Sequence, residues 1–509
     1  MKLITLCQAA GIACPLEHEN LEIQAICTDS RRIVKGGLYV AICGLRSNGH
    51  DYIKDAIGAG AICILTEEGV EYSKALESGV AFISAKNTRR AAACLFDAWY
   101  GFPTKKLKII GVTGTNGKTS VTHMLRHVLQ TMLCKCGLIG TVGCESGGRF
   151  LDSRGSDALA NMTTPDPEEL YRILSEMVAD GVEYVLMEVT SHALALGKLE
   201  PIRFAAAIFT NLTPEHLDFH GDMEHYADAK AELFGKSELS VIHANSPYAE
   251  RMIKAATGRV ITTGIGVAAD YCATGEELLG EDGVRYRLSS NSFSLQIRCP
   301  IPGRFTVANS MQAAACALEL GFGAGAVKDA LSSLSGVKGR MEKVKLGLGA
   351  DFSLFIDYAH TPDALENLLR TARGFCQAGQ RLVLVFGCGG DRDRSKRALM
   401  GRIASTHADR VIITSDNSRG EDPDTIIKEI LDGVENRKYT VIPERREAIR
   451  QAVLEAERGD VILLAGKGHE EYEIDRNGRH PFCEKKIALE AFEERSRKQK
   501  NTGDRETGL

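Results

Sequence analysis

The chain lacks an excess of charge of either sign: 62 Lys and Arg against 67 Asp and Glu over 509 residues leave a formal charge of -5. That balance gives no reason to expect nucleic acid or an acidic membrane surface as a partner, so an anionic ligand has to be met by cations gathered locally. Internal repeats and low-complexity blocks are missing as well. The polar end SRKQKNTGDRETGL has nothing to pack and is expected to fray as a flexible tail. A cysteine framework is also absent. The 15 cysteines are odd in number and scattered, and the close pair Cys134 and Cys136 matches neither a zinc knuckle nor a C-x-x-C redox site. They are expected to be reduced and mostly buried. The beginning, MKLITLCQAAGIACPLEHENLE, carries one lysine near its start and an apolar run broken by Gln8, Gly11 and Pro15. It fits neither a signal peptide nor a spanning helix, so a cytoplasmic protein without membrane insertion is expected.

What is there is length enough for about three domains with cores of their own. Residues 1–102 hold short apolar runs such as LYVAICG and AICILT, and end before a linker with Pro103, Lys105, Lys106 and Lys108. Residues 103–335 alternate apolar strands (KIIGVTG, YVLMEVT, AAAIFTN, SVIHAN, RVITTG) with helical patterns, the signature of a parallel sheet covered on both faces. Residues 336–495 repeat the style with SLFIDYA, RLVLVFGC, RVIITSD, YTVIP and DVILLAG, and residues 496–509 form the tail. The fold class is therefore α/β in three domains: a central doubly wound P-loop ATPase sheet and a C-terminal Rossmann-like sheet whose ligand lies at the strand ends.

The sharpest motif is IIGVTGTNGKTS, Ile109 to Ser120. An apolar strand runs into a loop of Gly114, Thr115, Asn116 and Gly117, followed by Lys118, Thr119 and Ser120. Val121, Met124, Leu125, Val128, Leu129 and Met132 then recur at helical spacing. Glycines let backbone N–H groups face a polyphosphate, Lys118 neutralises its outer oxygens and the Thr119 hydroxyl suits a Mg²⁺ shell. The first glycine of the strict G-x-x-x-x-G-K-[ST] pattern is displaced by one, to Gly111. ATP is the expected ligand. Glu188, in MEVTSHAL, ends a strand where carboxylates commonly serve the nucleotide's Mg²⁺. His216 and His220 stand four apart, but the H-E-x-x-H order is absent and no cysteine is suitably placed, so zinc is not expected. GCGGDR, after RLVLVF, fails the dinucleotide pattern G-x-G-x-x-G.

The TGTNGKTS form resembles the Mur ligases, ATP-dependent enzymes that add amino acids to a UDP-linked muramic acid in peptidoglycan synthesis. The resemblance runs from about residue 22 to 475. It implies that His216 and a carbamylated Lys230 serve a second Mg²⁺, since a bare ammonium beside dications would be repelled. Glu215 stands where the family usually has Asp. The resemblance further implies Asn309, Arg340 and Asp357, with His360 beside it, on the adenosine side of ATP; Thr306 replaces a usual Asn. By the same match, Ser30 in CTDSRRIVKGGLYVAICG and then Thr163, Thr164, Thr190 and Lys198 touch the UDP-muramoyl dipeptide, Lys198 replacing an expected arginine. The third region supplies Arg392, Asp416, Asn417, Ser418, Arg419, Gly466 and Glu470 for the incoming amino acid. Ser418 stands where the diaminopimelate enzymes of the family carry Pro in D-N-P-R, while the lysine enzymes lack the arginine.

The activity so implied is addition of meso-2,6-diaminopimelate to UDP-N-acetylmuramoyl-L-alanyl-D-glutamate through an acyl phosphate, with Lys118, His216 and Lys230 catalytic and ATP and Mg²⁺ required. The alternatives are the same ligase using L-lysine, a ligase like folylpolyglutamate synthetase, or a non-catalytic nucleotide-binding regulator. The partners expected are these small molecules, with no nucleic acid, and the chain is expected to be a monomer.

Overall fold

The structure, a computed structural model, describes residues 1–44, 47–70, 79–151, 162–435 and 439–506. The chain divides into two compact units, Met1–Thr262 and Thr263–Leu509.

The first unit contains two sheets. Ala25–Cys27, Gly37–Val40, Ala61–Glu67 and Ala81–Ala85 pair in that order, all parallel. The helices Leu3–Ala10 and Thr88–Trp99 share one apolar core with this sheet through Leu3, Leu6, Ala92, Leu95 and Phe96. In the second sheet, Leu239–His243, Ala206–Phe209, Lys108–Thr113, Tyr184–Glu188 and Cys136–Gly140 are adjacent and parallel. The antiparallel strands Gly143–Ser146 and Arg149–Phe150 extend it. The strand Lys108–Thr113 lies in the middle. Its neighbours end in Thr210-Asn211 on one side and Glu188 to Thr190 on the other, so three chain ends meet where open α/β sheets bind ligands. The central strands are buried nearly end to end, as their continuous apolar runs require of a sheet covered on both faces.

The second unit opens with antiparallel strands Tyr271–Leu278, Val284–Ser289 and Ser294–Cys299, against which the helix Phe305–Glu319 packs. In VRYRLS, Val284, Tyr286 and Leu288 are buried while Arg287 is exposed, the period of two expected of a half-buried strand. A six-stranded sheet follows in the order Glu342–Lys343, Ser353–Asp357, Val461–Ala465, Leu382–Phe386, Arg410–Ile413, Tyr439–Val441, parallel except at its first pair. Helices Pro362–Arg373, Ser395–His407 and Pro423–Leu431 cover one face through Leu365, Leu368, Met400, Ile426 and Ile430. Arg445–Leu454 and Glu484–Glu506 cover the other through Ile449, Val453, Ile487 and Phe492.

The division between the compact units, after Thr262, falls inside the stretch 103–335 that patterning reads as one domain. The stretch read as a frayed tail also differs: the helix continues to Glu506, and Arg497–Glu493 and Lys498–Glu494 pair one turn apart along it. Residues 507–509 lie outside the described residues. All fifteen cysteines are free, and Cys43 alone is exposed. Among the described residues no helix is long and apolar enough to cross a membrane.

Candidate active site

The loop after Lys108–Thr113 is built as a cradle. Gly117 has φ of 89° and caps the helix Lys118–Thr131; Gly114 has φ of 147°, and a Cβ there would lie 1.9 Å from Thr210 Oγ1. Both positions therefore require glycine. Asn211 fixes the loop from the neighbouring strand: its Oδ1 accepts from Asn116 N at 2.9 Å and its Nδ2 donates to Asn116 O at 3.0 Å. Its carbonyl accepts from Thr115 N at 3.0 Å. Lys118 Nζ donates to the carbonyls of Gly114 (2.8 Å) and Thr115 (2.9 Å), which folds the ammonium over the loop. Ser120 is buried on the first turn of the helix.

Glu188 is 1 % exposed and collects donors from three segments. Its carboxylate accepts from Thr119 Oγ1, Thr141 N and Thr141 Oγ1, each at 2.9 Å. Its carbonyl accepts from Thr164 Oγ1 at 2.9 Å, and Thr164 also meets the hydroxyl of Thr190 at 3.2 Å. Thr163 reaches the same group through Thr141 Oγ1, at 3.1 Å. A Cβ on Gly140 would lie 2.3 Å from Glu188 Oε1, so the bare backbone leaves the carboxylate its place. This cluster of hard oxygens suits Mg²⁺. Thr141 was not among the sequence candidates; its signal is the strand CGLIG running directly into Thr141 beside the phosphate loop.

Lys230, on the helix Met223–Ala231, is 2 % exposed and donates to Gly114 O at 3.1 Å. Burial pushes its pKa well below that of an ordinary lysine, and the Lys118 charge pushes it the same way. The amine lies 4.7 Å from the ring centre of Tyr226, whose hydroxyl meets Thr115 Oγ1 at 3.3 Å. His216, at φ of 57°, packs on the same ring at 6.2 Å between centroids. Its pKa is lowered by burial and then by Lys118 and Lys230, against the opposing pull of Glu215. His192 stands 4.9 Å from His216 and is pushed down to about 4, first by burial and then by the neighbouring histidines. His220 meets Ser191 Oγ at 2.9 Å. Thus Lys118 and Lys230 meet on the carbonyl of Gly114, and Lys230 and His216 share the ring of Tyr226 as a wall.

Ser30 and Lys198 line a different space, a cavity of about 1010 Å³ with Arg32, Tyr39, Arg89 and Glu168 also on its walls. Asp29 caps the short turn that carries Ser30. Lys198 Nζ pairs with Asp166 at 2.6 Å. Thr163, Thr164 and Thr190, grouped with these two by sequence, instead make their hydrogen bonds around Glu188.

In the second unit Asp357 ends its strand with both oxygens satisfied, accepting from Met341 N at 2.7 Å and Ala359 N at 2.8 Å. Burial raises its pKa, and the Arg340 charge opposes that. The Arg340 guanidinium lies 4.8 Å from the ring centre of Tyr358. Asn309 is buried in the helix Phe305–Glu319. His360 bonds the carbonyl of Tyr358 at 2.8 Å.

The remaining sequence candidates converge at the strand ends of the C-terminal sheet. Asn417 Nδ2 donates to Glu470 Oε2 at 2.7 Å, while its Oδ1 accepts from Lys467 Nζ at 2.8 Å and Ile474 N at 3.0 Å. Gly466, at φ of 117°, passes so close to Asp416 that a Cβ would lie 2.5 Å from its Oδ2. Glu470 is raised by burial and then by the Asp416 charge. Arg419 has φ of 51°, and its Nη1 donates to Gly390 O at 2.8 Å. Burial and then the nearby Arg419 charge lower Arg392. Among the described residues neither guanidinium forms an ion pair with a carboxylate. Ser418, between Asn417 and Arg419 in the chain, is buried. Arg397, missed from sequence, anchors both arginine loops from below: its guanidinium donates to Gly389 O at 3.1 Å, to both oxygens of Glu421 at 2.9 Å, and to Glu429 at 2.6 Å.

Three family descriptions match the chain: "Mur ligase family, catalytic domain" over residues 22–100, "Mur ligase middle domain" over 112–317, and "Mur ligase, glutamate ligase domain" over 339–468. The chain is 41% identical over 498 residues to the UDP-N-acetylmuramoyl-L-alanyl-D-glutamate–2,6-diaminopimelate ligase of Clostridioides difficile, covering 97% of this chain and 99% of that one. It is 42% identical over 481 residues to the protein of the same name from Caldanaerobacter subterraneus, covering 94% and 96%. A solved structure of a ligase of this name superposes with a TM-score of 0.67 at 29% identity, over 97% of this chain and 100% of the other.

Proposed function

The chain belongs to the Mur ligase family, and we propose that it is the ATP-dependent ligase that joins meso-2,6-diaminopimelate to UDP-N-acetylmuramoyl-L-alanyl-D-glutamate in peptidoglycan synthesis. The observation that carries the choice of amino acid is the pair Arg392 and Arg419, two guanidiniums that form no ion pair among the described residues, beside Asn417 and Glu470. Diaminopimelate differs from lysine by one carboxylate at the far end of its side chain. A planar fork such as Arg419 grips a carboxylate through two parallel hydrogen bonds, and Glu470 receives the neighbouring ammonium.

The reaction needs a carboxylate oxygen turned into a leaving group. The glutamate side-chain carboxylate of the acceptor attacks the γ-phosphorus of ATP, giving an acyl phosphate and ADP. The diaminopimelate amine then adds to the acyl carbon, and collapse of the tetrahedral intermediate expels phosphate. The loop Gly114 to Gly117 and the N-terminal turn of the helix Lys118–Thr131 cradle the phosphates, and Lys118, swung from its carbonyls, follows the charge of the transferring group. Thr119 and Glu188 would hold one Mg²⁺, and His216 with a carbamylated Lys230 a second. Bound there, the ions would neutralise charge on the phosphoryl oxygens. Burial disfavours the charged form of Lys230, and a neutral amine is the form that adds CO₂, losing one proton as the carbamate forms. Ser30 and Lys198 bind the UDP-muramoyl dipeptide in the cavity of the first unit, and Asn309, Arg340 and Asp357 the adenosine. Domain boundaries at about 102 and 335 accompany this reading.

The test is phosphate release by the purified protein with ATP and Mg²⁺. Release is expected to require both the UDP-muramoyl dipeptide and diaminopimelate. Release with a folate acceptor, or none at all with ATP bound, would refute the proposal.

A further inference from the structure

We propose that Arg445 is a positioning residue for the amino-acid pocket: held by Glu484, its guanidinium fixes the two chain ends that present Asp416 and Gly466. The inference rests on the functional reading above. Arg445 opens the helix Arg445–Leu454, whose first turn is capped by Glu444, so its backbone is fixed. The side chain is fully buried. Its Nε donates to Glu484 Oε1 at 2.8 Å, Nη1 to the carbonyl of Ser415 at 3.1 Å and Nη2 to the carbonyl of Ala465 at 2.8 Å. Ser415 directly precedes Asp416, and Ala465 directly precedes Gly466. One planar group thus ties together the ends of two strands at the point where Gly466 passes closest to Asp416.

The same charge acts on the pocket through space. Burial alone would raise the Asp416 carboxyl, yet Lys467 and then Arg445 draw it below its ordinary value. Asp416 therefore remains an anion where the amino-acid substrate is to bind, and Lys467 stays within 3.7 Å of it. Lysine at position 445 keeps a charge but has no fork to span two carbonyls and a carboxylate. Glu484 begins the last helix, Glu484–Glu506, so that helix sets the pocket through a single ion pair.

The experiment compares Arg445→Lys, Glu484→Gln and Arg450→Met in the full-length enzyme, measuring kcat and the KM for each substrate. Arg450 joins the same two helices through Glu494 at 2.6 Å but stands away from the pocket, at the surface, so its variant reports loosening of the helix pair alone. Arg445→Lys is expected to raise the KM for diaminopimelate on the order of 10-fold or more, with kcat at saturation and the KM for ATP changed less than about 2-fold. Glu484→Gln is expected to shift the same KM in the same direction while keeping Arg445, which covers the case in which Arg445→Lys does not fold. Arg450→Met is expected to leave all three constants unchanged. The inference is overturned if Arg450→Met raises the KM as much, if kcat and the KM for ATP change along with it, or if Glu484→Gln leaves the KM for diaminopimelate at the wild-type value. A wild-type enzyme inactive with diaminopimelate would sink the functional reading instead, and the same comparison would then be read with the amino acid it accepts.

Discussion

Lys230 Nζ donates to the carbonyl of Gly114 at 3.1 Å, so a buried amine closes the phosphate loop from a helix more than a hundred residues away. The loop is thereby held by two lysines, since Lys118 takes the same carbonyl at 2.8 Å. Two ammoniums on one acceptor repel each other, and burial selects Lys230 as the one that gives up its proton. Lys230→Ala is expected to be nearly inactive and partly rescued by small carboxylates. Intact mass or electron density in bicarbonate should show the carbamate; a plain amine in the active, Mg²⁺-loaded enzyme would refute it.

Lys118→Ala should abolish ligation while the fold persists. The side chain donates to loop carbonyls at the mouth of the cradle, and it is the chief cation available to the phosphates. Phosphate release and a thermal melt decide it together: most of the activity retained, or a collapsed melt, would contradict the assignment.

Thr141 donates to Glu188 from both its amide and its hydroxyl. Thr141→Val keeps the amide and the shape but removes the hydroxyl bond that orients the carboxylate. Loss of such supporting hydrogen bonds typically weakens metal binding roughly 10- to 100-fold. The Mg²⁺ concentration needed for half-maximal activity should rise, with less effect at saturating Mg²⁺. An unchanged Mg²⁺ requirement would remove Thr141 from the site.

Much of this arrangement was legible in the chain because chemistry and periodicity coincide at strand ends. The runs KIIGVTG and YVLMEVT are apolar throughout, so they read as buried parallel strands, and Lys118 and Glu188 follow them directly. The strands at 271–299 were not legible in the same way. VRYRLS alternates and is flanked by turn residues, Asp282-Gly283 before it and Ser290-Asn291-Ser292 after it, but these strands lack the continuous apolar run that marks the central ones. Arg445 and Arg397 escaped for a different reason. Each lies inside a helix among other charged residues, and only the fold reveals that a carboxylate and backbone carbonyls enclose it. The grouping of Thr163, Thr164 and Thr190 with Lys198 came from resemblance, whereas hydrogen bonds place the threonines around Glu188.

Acid should loosen the arginine loops. Its hydrogen bonds from Arg397 bring the Glu421 carboxyl from an ordinary 4.5 down to about 2. A depressed carboxyl contributes stability that is fully present above its unfolded value and is lost as pH falls toward the folded one. The contribution of Glu421 is therefore expected to disappear between about pH 4.5 and 2. Glu421→Gln should lower stability at neutral pH and flatten the acid limb in that window. Parallel acid-unfolding curves for the two proteins would show that the pair carries no such linkage.

Arg419 decides the amino acid. Its backbone is held at φ of 51° by a bond from its amide to Ile474 O at 3.0 Å, and its guanidinium is aimed by Gly390 O. Ser418 precedes it where a proline would fix φ, so the loop is restrained by burial and by Asn417 rather than by a ring. Selectivity for diaminopimelate over lysine is expected to keep its direction and to be weaker than with proline in place. Removing the charge partner of a desolvated carboxylate typically costs about 2 to 5 kcal/mol, so Arg419→Ala should cut diaminopimelate use by orders of magnitude and leave the slow reaction with lysine largely unchanged. Ser418→Pro should sharpen the preference. Competition between the two amino acids in one reaction measures both effects, and a wild-type enzyme that prefers lysine would overturn the assignment of Arg419.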